Sequence, residues 1–142
     1  MRQRALDYLA KREYSYAELG QKLKSFAEED DDIGALLDDF RTRGWLSDAR
    51  FTEQLVHARK AKFGSARVAN ELREKGIADD LIAVAVSQIK VNELDNAREV
   101  WRKKFKDSPA TREEWAKHAR FLQSRGFGFD IIKQVLSQTK GE

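Results

Sequence analysis

No cysteine occurs among the 142 residues. That excludes disulfides, thiolate nucleophiles and cysteine-ligated zinc, and it suits a reducing compartment. Pro109 is the only proline. Helix interiors exclude proline, so the chain is free to be helical almost throughout. The two histidines, His57 and His118, stand apart from one another and from any strong ligand at metal-binding spacing. No stretch approaches the roughly 20 apolar residues that a membrane span needs. Met1-Arg2-Gln3-Arg4 runs straight into a helical pattern, without the apolar region of a signal peptide. A cytoplasmic protein without a cofactor is expected.

The residues present give a second set of limits. At 41% hydrophobic the chain can bury a core, and at 36% charged it must wet much of its length. Lys and Arg total 27 against 24 Asp and Glu, a net charge of +3. A balance this mildly basic permits a nucleic-acid or nucleoprotein partner without requiring one. Distribution matters more than the total. Glu28, Glu29, Asp30, Asp31 and Asp32 form one acidic run, while Arg59, Lys60, Lys62, Arg67, Arg73 and Lys75 crowd the middle.

Apolar spacing of three and four residues predicts short helices joined by tight turns. Ala5, Leu6 and Leu9 stripe the first. Ser15-Tyr16-Ala17-Glu18 reads as a capping box opening the second, with Leu19 and Leu23 on its face. The acidic run suits the start of a third, carrying Ile33, Leu36, Leu37 and Phe40 and closed by Gly44. Ser47 or Asp48 caps the next helix, which bears Phe51, Leu55 and Val56 and breaks at Gly64-Ser65. Val68, Ala69 and Leu72 mark another, closed by Gly76. The β-branched stretch Leu81 to Ile89 has no strand-like partner and is read as helix. Leu94, Ala97, Trp101 and Phe105 stripe a helix that Ser108-Pro109 stops. Thr111-Arg112-Glu113-Glu114 is a further capping box, and Ile131, Ile132, Val135 and Leu136 belong to the last helix.

Three turns share a pattern of basic residue, glycine, apolar residue: Arg43-Gly44-Trp45, Lys75-Gly76-Ile77 and Arg125-Gly126-Phe127. The expected fold is all-α, with tandem three-helix repeats at residues 1–45, 46–91 and 92–142. A three-helix unit closes only a small core, so the modules should stack into an elongated, curved array. One irregular helical bundle is the alternative.

Catalysis needs converging groups, and none converge here. Asp38 and Asp39 are adjacent on a helix and point to different faces. Gly126-Phe127-Gly128-Phe129 lacks the Lys-Ser/Thr of a phosphate loop. No enzyme is expected. The chemistry that is present is basic: Arg59, Lys60, Lys62, Arg67, Arg73 and Lys75 form a candidate surface for phosphates or an acidic protein face. A solvated helix end is the plain alternative. Arg98, Arg102, Lys103, Lys104 and Lys106 surround Trp101 and Phe105, aromatics at helical spacing that read as core. Trp45 and Tyr14 suit either partner anchoring or packing between modules. Tandem DNA-reading helices are a poor fit. The third helices offer Asp38 and Asp39 in one module, an apolar run in the next, and only Lys133, Gln134 and Gln138 in the last.

Four blocks, in order along nearly the whole chain, resemble the RecX family: residues 15–23, 37–51, 63–77 and 120–127. The second carries Gly44-Trp45-Leu46-Ser47-Asp48-Ala49-Arg50-Phe51, similar to that family's Gly-aromatic-Leu-x-Asp-x-Arg-Phe. Ser47 stands where an acidic residue or asparagine is usual, and Tyr14 replaces a more typical polar residue. Many relatives carry extra residues before the first helix, so a trimmed N-terminus is expected. The resemblance implies three tandem three-helix modules. It also implies binding to RecA and to RecA filaments on single-stranded DNA, with inhibition of their ATPase, strand-exchange and co-protease activities. It adds Arg50 to the candidate contact surface, with an ion pair to Asp48 or Glu53 as the alternative role. Weak direct DNA binding and a monomer are expected. A small helical module that contacts the DNA backbone without a recombinase is the alternative function.

Overall fold

The structure is a computed structural model that describes the backbone of residues 1–140 and the side chains of residues 1–137. The side chain of Gln138 and the last residues of the 92–142 stretch, 141 and 142, lie outside that description. The described residues form nine α-helices and no strand. They are α1 (Arg2–Lys11), α2 (Tyr16–Lys24), α3 (Ile33–Thr42), α4 (Asp48–Arg59), α5 (Ser65–Glu74), α6 (Asp79–Lys90), α7 (Glu93–Lys104), α8 (Arg112–Ser124) and α9 (Phe129–Lys140).

Local chemistry sets many of the boundaries. The side chains of Ser15, Asp32, Ser47 and Thr111 each accept the N–H three residues on, at 3.0–3.1 Å, satisfying a donor that helix geometry leaves orphaned. Gly44, Gly76 and Gly126 take φ of 77°, 76° and 92°. Beyond each, a backbone N–H returns five residues: Trp45 to Phe40, Ile77 to Leu72, Phe127 to Leu122. This is the Schellman closure, and its left-handed residue favours glycine.

Three boundaries differ from expectation. At α8, Glu114 reaches past the N-cap Thr111 and accepts the Ala110 N–H at 2.7 Å instead of completing a capping box. Glu18 does not reach back to complete a capping box at Ser15; its carboxylate goes to Arg12 and Lys75 instead. The α7 helix stops at Lys104, short of Ser108-Pro109, and Phe105 is extended. Leaving the helix there lets the Phe105 ring stack on His118 at 3.7 Å between centroids.

Each successive trio of helices closes its own core. Leu19, Leu23, Leu37, Phe40 and Leu46 are buried together in the first. Phe51, Val68, Leu72, Ile82 and Ile89 are buried in the second, and Trp101, Leu122, Phe127, Val135 and Leu136 in the third. The β-branched stretch is helical, with Ile82, Ala85 and Ile89 facing inward.

The trios join through two seams built alike. At the first, Ser15 Oγ donates to the Lys75 carbonyl at 2.7 Å, and Tyr16 N–H donates to Asp48 Oδ1 at 2.8 Å. At the second, Gly64 N–H donates to the Arg125 carbonyl at 2.9 Å, and Ser65 N–H donates to Glu93 Oε1 at 3.0 Å. In both, the start of one middle helix, α2 or α5, meets the glycine turn that ends the next, α5 or α8. A carboxylate from the first helical residue of the following module, Asp48 or Glu93, accepts the first helical N–H. A hydroxyl at the first seam and a backbone N–H at the second thus meet the carbonyl at the end of the facing helix, and in both the carboxylate sits against the positive end of the helix dipole. Glu93 is only 3% exposed, and Ser65 Oγ donates to it as well. Gly76 sits so close that a Cβ there would lie 2.5 Å from Ala17 Cβ.

Candidate partner interface

The seven basic candidates do not form one patch. Arg59, at the end of α4, forks onto Glu71 of α5: Nε to Oε1 at 3.1 Å and Nη2 to Oε2 at 3.2 Å. Lys75 caps α5 and reaches across the first seam to Glu18 Oε2 at 3.0 Å. Arg50 pairs across the same seam with Glu13 at 3.1 Å, rather than with Asp48 or Glu53. Arg67, in the first turn of α5, lies 4.2 Å over the Phe63 ring and donates Nη1 to the Ser124 carbonyl at 3.1 Å. Lys60, Lys62 and Arg73 are exposed and have no carboxylate partner among the described residues.

Arg59, Arg67 and Lys75 line one open depression of about 640 Å³ with Phe63, Glu71 and Glu74. Two carboxylates in that lining temper its charge. Lys62 faces a different cleft, and Arg50 a third hollow beside Tyr16 and Arg41. Burial works to raise the Glu18 carboxyl, but hydrogen bonds from Arg12 and Lys75 outweigh it and hold the group below the usual carboxylate range. That carboxylate stays charged and keeps Lys75 occupied.

A concentration of unpaired charge lies elsewhere. Lys62 shares its cleft with Lys103, Lys104 and Arg125, drawn from the ends of α4, α7 and α8. In the sequence Lys103 and Lys104 belong to a cluster read as surface around core aromatics. That reading of the aromatics holds for Trp101, 7% exposed. The meeting of Lys62 with Arg125 depends on the second seam, which no local pattern announces. Tyr14 is buried in the first core, while Trp45 is 43% exposed, with Arg2 and Arg43 over its ring.

His118 is buried, its Nδ1 accepting from the Trp101 indole N–H at 3.0 Å. Burial pushes its pKa down; Glu114 opposes that and Lys117 adds to it. Among the described residues no three His, Asp or Glu side chains gather where a metal could sit. No helix among them is long and apolar enough to cross a membrane.

Residues 47–86 match the family profile of the RecX second three-helix domain, and residues 92–136 that of the RecX third three-helix domain. The chain is 47% identical over 133 residues to the regulatory protein RecX of Leptothrix cholodnii, spanning 94% of this chain and 85% of that protein. It is 42% identical over 137 residues to the regulatory protein RecX of Chromobacterium violaceum, spanning 96% and 89%. The crystal structure of RecX from Lactobacillus salivarius superposes with a TM-score of 0.85 at 20% identity, over 99% of this chain and 95% of that one. A second crystal structure, of regulatory protein RecX, gives 0.83 at 20% identity, over 96% and 71%.

Proposed function

The chain belongs to the RecX family, and from that membership we propose that it binds RecA and RecA filaments on single-stranded DNA, restraining ATP hydrolysis, strand exchange and co-protease action. The observation that carries the reading is the row of three small cores joined by two like seams. Such a row offers several separated contacts to a repeating partner, and multivalency of this kind raises avidity without one strong contact. We take the modules to run over residues 1–45, 46–91 and 92–142, and the protein to act in the cytoplasm as a monomer without catalysis of its own.

Arg50, Arg59, Lys60, Lys62, Arg67, Arg73 and Lys75 remain the proposed contact surface, and the geometry ranks them. Lys60, Lys62 and Arg73 are free to meet a partner. Arg50, Arg59 and Lys75 must first leave Glu13, Glu71 and Glu18. The test is single-stranded-DNA-dependent ATP hydrolysis by RecA of the same organism, with this protein titrated below one copy per RecA. Inhibition at substoichiometric amounts is expected. No inhibition at equimolar protein refutes the reading. Charge reversal at Lys60, Lys62 and Arg73 should weaken inhibition more than reversal at Arg50, Arg59 and Lys75.

A further inference from the structure

Four cations, Lys62, Lys103, Lys104 and Arg125, line one open cleft of about 260 Å³ together with Phe121. Glu99 also lines it, and its carboxylate is held by Arg102 at 3.1 Å. Like charges crowd together at a cost, so the crowding needs a cause. Helix ends supply part of it. Lys62 follows α4, Lys103 and Lys104 end α7, and Arg125 caps α8. Each helix C-terminus carries about half a negative charge, so three offset less than half of the four positive charges. A net positive cleft remains.

The cleft continues into an alternation of cations and rings. Lys104 Nζ lies 5.7 Å from the centre of Phe121, and the Arg125 guanidinium 5.1 Å. Arg125 is also 5.9 Å from Phe63, over which Arg67 sits at 4.2 Å. The order Lys104, Phe121, Arg125, Phe63, Arg67 crosses the second seam without a break. It is held in place by that seam: Gly64 N–H fixes the Arg125 carbonyl, and Arg67 fixes the Ser124 carbonyl. Such an array is assembled before any ligand arrives, which lowers the ordering cost of binding.

We propose that this ladder, with Lys62 and Lys103 on its rim, is a track for a single nucleic-acid strand. Phosphates meet the ammonium groups and guanidinium edges, and bases stack on guanidinium planes that the phenyl rings back. Arginine supplies both a planar stacking face and in-plane donors, and single strands expose both bases and phosphates. An acidic polypeptide would use the charge but leave the planar faces idle. The strand track needs no recombinase, so it goes beyond the function proposed above and is decided separately from it.

The experiment is fluorescence anisotropy of a labelled oligothymidine against the full chain, over a range of salt and with no other protein. Five engaged cations predict a slope of log affinity against log salt of about −3.5, at about −0.7 for each phosphate neutralised on a single strand. Lys62→Gln with Lys103→Gln should flatten the slope by about 1.4. Arg125→Lys keeps the charge and removes the plane. It should leave the slope unchanged while weakening binding about fivefold or more, the scale of one lost base stack. Lys24→Gln, in the first module, should change nothing beyond its single charge. Circular dichroism confirms that each variant is folded. Absence of binding at low salt overturns the proposal. So does Arg125→Lys binding as tightly as the unaltered chain, or poly-glutamate displacing the strand as well as unlabelled oligothymidine does; those results assign the cleft to an acidic polypeptide.

Discussion

Three glycines separate two kinds of cost, and substituting alanine at each measures them one by one. Gly44 has a φ of +77° and nothing within 4 Å of where a Cβ would stand. Gly44→Ala therefore carries only the left-handed backbone cost, about 1 kcal/mol. Gly64 has an ordinary φ of −80°, but a Cβ there would run into the Gly126 carbonyl, with Phe127 N only 2.6 Å away. Gly64→Ala carries only the packing cost of the second seam, about 2 kcal/mol, the middle of the range for overpacking. Gly126 combines both: its φ is +92°, and a Cβ would meet the Arg67 backbone, 2.8 Å from the nitrogen. Gly126→Ala should cost about 3 kcal/mol by adding the two terms. Because Gly64 and Gly126 face one another, their effects cannot add. Once either alanine has forced the seam apart, the other meets open space. The double variant should cost about 3 kcal/mol rather than the sum of about 5, a coupling of about 2 kcal/mol. Urea unfolding followed by far-ultraviolet circular dichroism gives the numbers, and in a Trp45→Phe background tryptophan emission reports the third module separately through Trp101 and Trp115. Equal costs at Gly44, Gly64 and Gly126, or strict additivity in the double variant, refutes the account of the seam as close-packed backbone.

Three further outcomes follow from other residues. Glu93→Ala removes the buried acceptor of Ser65 N–H and Oγ and should destabilise by about 2 kcal/mol, with Glu93→Gln costing less, as read from urea midpoints. His118 is held neutral in the fold, so the folded state binds fewer protons than the unfolded one. Its contribution is complete above 6.5, the ordinary imidazole value, and is lost as pH falls from there toward the lowered folded value. Thermal unfolding monitored by tryptophan emission should show that loss in the parent and not in His118→Gln; identical profiles refute it. Arg50→Ala should cost at most about 1 kcal/mol, because Arg50 is exposed although its partner Glu13 is half-buried, and the cost should shrink in high salt. A cost above that bound, unchanged by salt, would show that Arg50 works through packing.

The helices were legible because their determinants are local. Ser47 accepts the Arg50 N–H from three residues away, and Gly76 turns the chain within the motif that contains it. The family was legible for the same reason, since its blocks are the turns and caps. The seams were not. Glu93 and Asp48 open helices, where a carboxylate ordinarily serves its own helix dipole. Here each serves the helix of the preceding module, at separations of 28 and 32 residues. Charge counting failed for a related reason. Arg59 and Lys75 look free in the sequence until Glu71 and Glu18 are seen beside them. Arg125 gains its importance only when folding sets it near Lys62. What local order encodes can be read along the chain, and what depends on joining modules cannot.

The seams also give the molecule a direction. A joint made from the front of one middle helix and the rear turn of the next has unlike halves, so the row has unlike ends. Among the described residues only the central module carries both halves: Gly64 and Ser65 face forward, while Lys75, Gly76 and Asp48 face back. At the far end, the start of α8 is sealed by its own groups, with Thr111 accepting from Glu114 N–H and Glu114 accepting from Ala110 N–H. A partner that is itself a head-to-tail row must therefore receive this chain in one of two inequivalent senses, parallel or antiparallel. The same asymmetry makes the central module the natural unit of growth, because a copy inserted after it would find a matching half on either side.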